Sequence, residues 1–233
     1  MSRAKPPTVD VRRMSHEDLL DVIDLYAVPG AHPKWDMAAL LSQLACFPHG
    51  QFVAEHRGTG EILGAASSLI LTEAAAPKSG PWLDPCARGD FTGHDPEHGA
   101  VLWAPSLVTV TEADWQDTAI ALDDARRALA ERLGMTAVLI PVRLSGSGGS
   151  ALNAPPERFA KSVNAGKVAE PLLRLLLKQG YILQGALVDA DAVSGTVTQE
   201  AHVAVVAWRN PHAGKRWLDR HATHFLQPDV DSL

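Results

Sequence analysis

Cysteine is scarce in this chain: Cys46 and Cys86 are its two. A disulfide framework is therefore not expected, and a reducing, cytoplasmic setting is the natural reading. Long apolar runs are missing as well, and none approaches the ~20 residues that a membrane-spanning helix needs. The amino terminus holds Lys5, Pro6 and Pro7 without the apolar stretch of a signal peptide. Basic clusters are equally rare. No basic run before the tail is longer than two residues, as in Arg12 with Arg13, and the formal net charge is −6, which argues against a nucleic-acid partner and suits a neutral or cationic substrate better.

What is present is an ordinary balance for one globular domain with a sizeable core: 233 residues, 46% apolar and 21% charged. A single domain over 1–233 is expected, with a long insertion at about 72–100 and a short tail after 211. Its organising stretch is 101–144. Residues 101–110 are apolar and β-branched enough for a strand, and 136–142 form a short continuous apolar run of the kind a sheet buries on both faces. Between them the spacing predicts a helix over about 117–133. Leu122, Ala125, Leu129 and Leu133 keep one apolar stripe, Asp123, Arg126, Arg127, Glu131 and Arg132 fall off it, and Gly134 is the stop. Strand, helix and strand in this order imply a right-handed crossover between parallel strands, with the helix amino terminus at the carboxyl end of the first strand. Free N–H groups and the helix dipole converge there, so a phosphate is the ligand class to consider, beside the plainer reading of a capped helix that binds none.

The remainder reads in order. A first strand over 9–14 is followed by a helix that Ser15 caps, with Leu19, Val22, Ile23 and Tyr26 at helical spacing and Pro29 and Gly30 as its end. Asp36 caps a second helix carrying Met37, Leu40, Leu41 and Leu44, stopped by Pro48 and Gly50. Strands over 51–57 and 61–71 flank the hairpin signal Gly58, Thr59, Gly60. The insertion is rich in Pro, Gly and Asp, and loops of this size are often lids or binding loops. It ends in His94, Asp95, Pro96, Glu97 and His98, which are either donors for a metal or a polar turn that Asp95 bends; we assign no metal. After a Ser/Gly-rich loop at 144–150, helices begin at Pro155 and Pro156 and at Glu170 and Pro171. The second has leucines almost all round, which marks a core helix. Strands over 181–188 and 201–208 close the chain.

The turn Trp115, Gln116, Asp117, Thr118, Ala119, Ile120, Ala121 resembles the acyl-CoA signature of the GNAT acyltransferase superfamily: Gln or Arg, two residues, Gly, one residue, then Gly or Ala. Gln116 and Ala121 fit, Ala119 stands at the usual glycine, and Asp117 puts a carboxylate beside the expected pyrophosphate. The order of elements is also that of a GNAT domain. The resemblance implies an α/β (α+β) fold, a mixed, mostly antiparallel sheet around a central parallel strand–helix–strand unit flanked by helices. A tyrosine that serves as general acid in many members is replaced by Leu176. The chain also resembles the narrower GNAT-like domain found fused to carbon–nitrogen hydrolases. Shared features are Arg143 in the loop after the fifth strand, Phe159 and Val163 on a helix, Gly180 with Tyr181, a closing Trp208, Arg209, Asn210 and Pro211, and His94, Asp95 and Pro96 in the insertion. About 22 residues follow Pro211, too few for a hydrolase domain.

The function implied is transfer of an acetyl group from acetyl-CoA, as cosubstrate, to a primary amine by direct attack. The acceptor is a small-molecule or N-terminal amine, and a homodimer is left open. By the same resemblance the backbone near Val108 and Val110 meets the pantetheine, and the N–H groups of Gln116, Asp117, Thr118, Ala119, Ile120 and Ala121 hold the pyrophosphate. No carboxylate lies within 101–110, so His94 or His98, reaching in from the insertion, is the candidate base. The other reading is a GNAT-like module that has lost catalysis and binds an acyl-CoA or a protein partner.

Overall fold

The helix and strand periods in the sequence set most of the elements. The computed structural model describes residues 9–28, 33–77, 81–110, 115–144, 156–189 and 201–213. In order they form β1 (Val9–Arg13), α1 (Leu19–Ala27), α2 (Met37–Cys46), β2 (Phe52–His56), β3 (Ile62–Leu71), β4 (Val101–Thr109), α3 (Trp115–Arg132), β5 (Ala137–Arg143), α4 (Pro156–Asn164), α5 (Pro171–Lys178), β6 (Ile182–Asp189) and β7 (Ala201–Arg209). The predicted helix stop at Pro29 and Gly30, most of the Ser/Gly-rich loop and the tail lie outside the described residues.

Local chemistry explains several boundaries. Ser15 and Asp18 form a reciprocal capping box, with a short 3-10 turn (His16–Asp18) leading into α1. Asp36 caps α2 by accepting the Ala39 N–H at 2.9 Å. At the end of α3, Gly134 takes φ 69°, a left-handed conformation that glycine adopts without a Cβ clash, and Met135 N–H closes back on Ala130 O at 2.9 Å.

One seven-stranded sheet runs β1-β2-β3-β4-β5-β7-β6. Every pairing is antiparallel except β4 with β5, which α3 joins as the crossover. The sheet is therefore mixed, with its parallel pair at the centre. Two apolar layers cover it. One holds α1, α2 and the insertion, through Val22, Tyr26, Leu40, Trp82 and Phe91; the other holds α3, α4 and α5, through Leu122, Leu129, Phe159, Leu173 and Leu176. In α5 only Leu173 and Leu176 are fully buried, so its other leucines lie on the flanks of a two-residue core stripe rather than wholly inside.

The insertion is docked, not loose. Trp82, Leu83, Cys86 and Phe91 bury themselves against α2, Ser42 Oγ donates to Asp90 O at 2.8 Å, and Gln43 Nε2 donates to Gly89 O at 3.4 Å. Ala87, Arg88 and Phe91 accept positive φ there, backbone strain that the surrounding apolar packing holds in place. No helix among the described residues is long and apolar enough to cross a membrane.

Candidate functional site

The central strand carries a proline. Ser67 faces Ser106 and Leu69 faces Trp103, so two steps along β3 match three along β4, and a bulge sits at Ala104 and Pro105. Proline has no N–H for a ladder, and a bulge is where a sheet tolerates it. The parallel pairing of β4 with β5 ends at the same level. It comprises Val101 with Ala137, Leu102 with Val138 and Trp103 with Leu139. Beyond that, β4 runs on to Thr109 and β5 to Arg143 without pairing to each other among the described residues. The sheet thus opens between its two central strands, toward the carboxyl end of β4. Val110 N–H donates to Leu63 O at 2.9 Å. By antiparallel alternation Val108 also turns its backbone to β3, which leaves the edges of Leu107 and Thr109 facing the opening. The open edge thus lies at Leu107 and Thr109, next to the expected Val108 and Val110.

The first turn of α3 stands at this end. Gln116 and Asp117 are exposed, Thr118 and Ala119 are buried, and Ile120 and Ala121 are half-buried. Ala119 is 1% exposed, so its methyl belongs to the core and does not obstruct a ligand approaching from solvent. Asp117 sits where a carboxylate stabilises a helix amino terminus. Close seating of this turn depends on Gly64 in β3, since a Cβ there would come within 2.9 Å of both Thr118 Cγ2 and Val108 O.

At the bulge a polar network crosses the sheet. On the α1 side Tyr26 OH and Ser106 Oγ are 2.5 Å apart. On the α3 side Arg126 Nη2 donates to Ser106 O and, at 3.2 Å, to Ser67 O. Tyr181 OH donates to Asp123 Oδ1 at 2.6 Å, while Arg127 Nε lies 3.2 Å from Asp123 Oδ2 with its guanidinium carbon 5.7 Å from the Trp208 ring centroid. Asp123 and Arg126 are 1% and 0% exposed. This corrects the expectation that both stay off the apolar stripe. Arg126 falls four residues after Leu122 and three before Leu129, on the stripe itself, and burial is tolerated because its charge meets carbonyl oxygens and the field of Asp123. Burial raises the Asp123 carboxyl and lowers the Arg126 guanidinium from their ordinary values. The Tyr26 phenol is pushed up to about 12 by desolvation.

His94 and His98 stand at the other end of β4. His94 Nδ1 accepts the Ile70 N–H at 3.1 Å, and its ring stacks on Phe47 with centroids 4.4 Å apart. Burial brings its pKa down to about 4, against the pull of Asp95. His98 is exposed, with Nδ1 3.3 Å from Asp95 Oδ1. The same carboxylate caps the turn by accepting the N–H groups of Glu97 and His98 at 3.2 and 2.9 Å, which holds the Asp95 carboxyl below its usual range. Ile70 pairs with Leu102, whereas Thr109 pairs with Gly64; at ~3.3 Å per residue those levels are roughly 20 Å apart. The insertion therefore does not bring either histidine to the first turn of α3. Among the described residues no group of three or more His, Cys, Asp or Glu side chains is placed to hold a metal. Leu176, at the position of the family's tyrosine, is buried at 2% exposure.

With a central parallel pair that separates past a bulge, beside the amino terminus of the crossover helix, the chain has a GNAT-like fold, and solved GNAT-like domains superpose on it. No protein-family model matches the sequence. The loading GNATL domain of CurA from Lyngbya majuscula aligns over 88% of this chain and 98% of its own, with a TM-score of 0.65 and 17% identity. The GphF GNAT-like decarboxylase in complex with isobutyryl-CoA aligns over 85% and 98%, with a TM-score of 0.60 and 21% identity. Among curated proteins, the probable hydrolase YhcX of Bacillus subtilis (strain 168) is 25% identical over 213 residues, which cover 89% of this chain and 40% of that one. The chain thus spans less than half the length of that relative.

Proposed function

We propose that this protein is an N-acyltransferase that takes an acetyl group from acetyl-CoA and delivers it to a primary amine, small-molecule or N-terminal. The observation that carries the reading is the opening between β4 and β5 directly beside the first turn of α3. It offers an extended thioester arm a free strand edge, and a pyrophosphate a helix amino terminus. Support comes from structures of the same fold whose descriptions include N-acetyltransferases and complexes with acetyl-CoA or a CoA bisubstrate analogue.

In this reading the amine nitrogen attacks the thioester carbonyl, the C–S bond breaks, the nitrogen gives up one proton and the sulfur takes one. An N–H on the open edge of β4, at Leu107 or Thr109, polarises the carbonyl, and orientation supplies much of the rest. His94 and His98 stand at the opposite end of β4, roughly 20 Å from the first turn of α3 by strand rise, so we do not give either the part of base. We assign the proton for sulfur to Tyr26, a phenol kept protonated by burial at the bulge, in place of the residue that Leu176 replaces.

CoA release measured across a panel of small amines and peptide amino termini tests both statements. Amine-dependent release is expected, and Tyr26→Phe slows it by about 10² with acetyl-CoA affinity retained. Tight acetyl-CoA binding without amine-dependent release would favour the second reading, a binding module, for which the buried Leu176 is the specific observation.

A further inference from the structure

Next to Gln116 of the first α3 turn runs a groove of about 300 Å³, whose other wall is the 166–170 turn and one side of α5. That is the size at which ligand pockets begin. Two cations enter it, Arg174 and Lys178, four residues apart and so on one face of α5. Both are exposed, and among the described residues neither takes part in an ion pair. Gly166, at φ 73°, leaves the floor bare there: a Cβ at that residue would lie 3.6 Å from Arg174 Nη1. The lining carboxylate is Glu170, which is buried at 6% exposure at the start of α5. In a chain of net charge −6, two exposed cations lining one groove mark a place for an anion.

We infer that this groove reads the 3′-phosphate of coenzyme A, with Arg174 and Lys178 as the residues that set the preference. The inference rests on the acyl-CoA reading above. A pyrophosphate at α3 leaves the phosphorylated ribose as the remaining dianion of that cosubstrate, and Gln116 belongs both to that turn and to the groove. An arginine suits a phosphate through paired N–H donors and a lysine through point charge. Both being exposed, the discrimination is modest and sensitive to salt.

The test is calorimetric titration of the full chain with acetyl-CoA and with its 3′-dephospho form, repeated for the Arg174→Ala, Lys178→Ala double variant and for Arg174→Lys. The wild type is expected to prefer acetyl-CoA by roughly threefold to thirtyfold, the range of two exposed charge pairs. In the double variant that ratio falls to about one while the dephospho affinity is unchanged; Arg174→Lys keeps most of it. Equal wild-type affinities for the two ligands, or a preference that survives the double substitution, would overturn the inference and leave the acyl-CoA reading standing. Absence of binding to both ligands in the wild type would overturn both.

Discussion

The two ends of β4 share one strand and differ in almost everything else. At the amino end Val101, Leu102 and Trp103 are paired on both sides, buried to 3% exposure or less, and roofed by the docked insertion with His94 in its seam. At the carboxyl end the pairing to β5 is gone, the side chains of Leu107 and Thr109 are half-buried, and a helix amino terminus stands alongside. Pro105 marks the joint. The comparison teaches that this sheet spends its cohesion at one end of a strand and keeps the other free for a ligand. A residue's place along β4 then decides whether its loss is felt in stability or in binding.

The largest effect is expected at the joint. Arg126→Ala leaves the carbonyls of Ser67 and Ser106 without their donor, empties a buried volume and removes a positive charge from the surroundings of Asp123, which keeps Tyr181 and Arg127; the change is worth about 3–5 kcal/mol of stability in denaturant titration, whereas Arg126→Met, which fills the volume, costs less. Equal losses for the two would mean that the polar contacts, which both variants remove, set the cost and that volume adds nothing, whereas no loss for Arg126→Met would mean that volume alone matters there and that the network is incidental.

A matched pair of glycines separates the ends. Gly64→Ala presses a methyl toward Thr118 and Val108 O at the open end, and Gly99→Ala presses one into Asp95 O and Ile70 Cγ2 at the closed end. Each is expected to lose about 1–3 kcal/mol of stability. Only Gly64→Ala, in conditions where both remain folded, is expected to weaken acetyl-CoA binding as well. Weakening by Gly99→Ala of similar size would erase the distinction.

A smaller effect is the titration of His94. Its folded pKa of about 4 lies below the ordinary value near 6.5, so the native state binds fewer protons than the unfolded chain between these values. Stability contributed by the neutral ring is fully present above pH ~6.5 and is lost as pH falls toward 4. Stability curves of the parent should show that decline, and His94→Gln should flatten it without altering acetyl-CoA affinity at neutral pH.

Much of this arrangement is written in periodicity. The β4, α3, β5 succession, the Asp36 cap and the Gly134 stop are local, and the structure has them within a residue or two of their expected positions. Buried charge was harder to see because an amphipathic reading sends Asp and Arg to solvent by type, although the spacing of Leu122, Arg126 and Leu129 already put the arginine on the inner face. Pro105 within a β-rich run was likewise a bulge signal, and with it the point where the central strands part. Nothing local tells that the insertion docks through Trp82, Cys86 and Phe91, since that packing depends on α2 far away in the chain. His94 and His98 are candidates in the sequence because no carboxylate lies within 101–110 and a histidine titrates near the needed pH; their partners, Ile70 and Asp95, are visible only once the chain is folded.

The most direct measurement of the central claim is a backbone amide NMR titration with acetyl-CoA. The account predicts chemical-shift changes at Leu107, Thr109 and the first turn of α3 from Gln116 to Ala119, with the amides of Ile70, His94 and His98 unmoved. Changes centred on Ile70, His94 and His98, or no changes at millimolar acetyl-CoA, would contradict it.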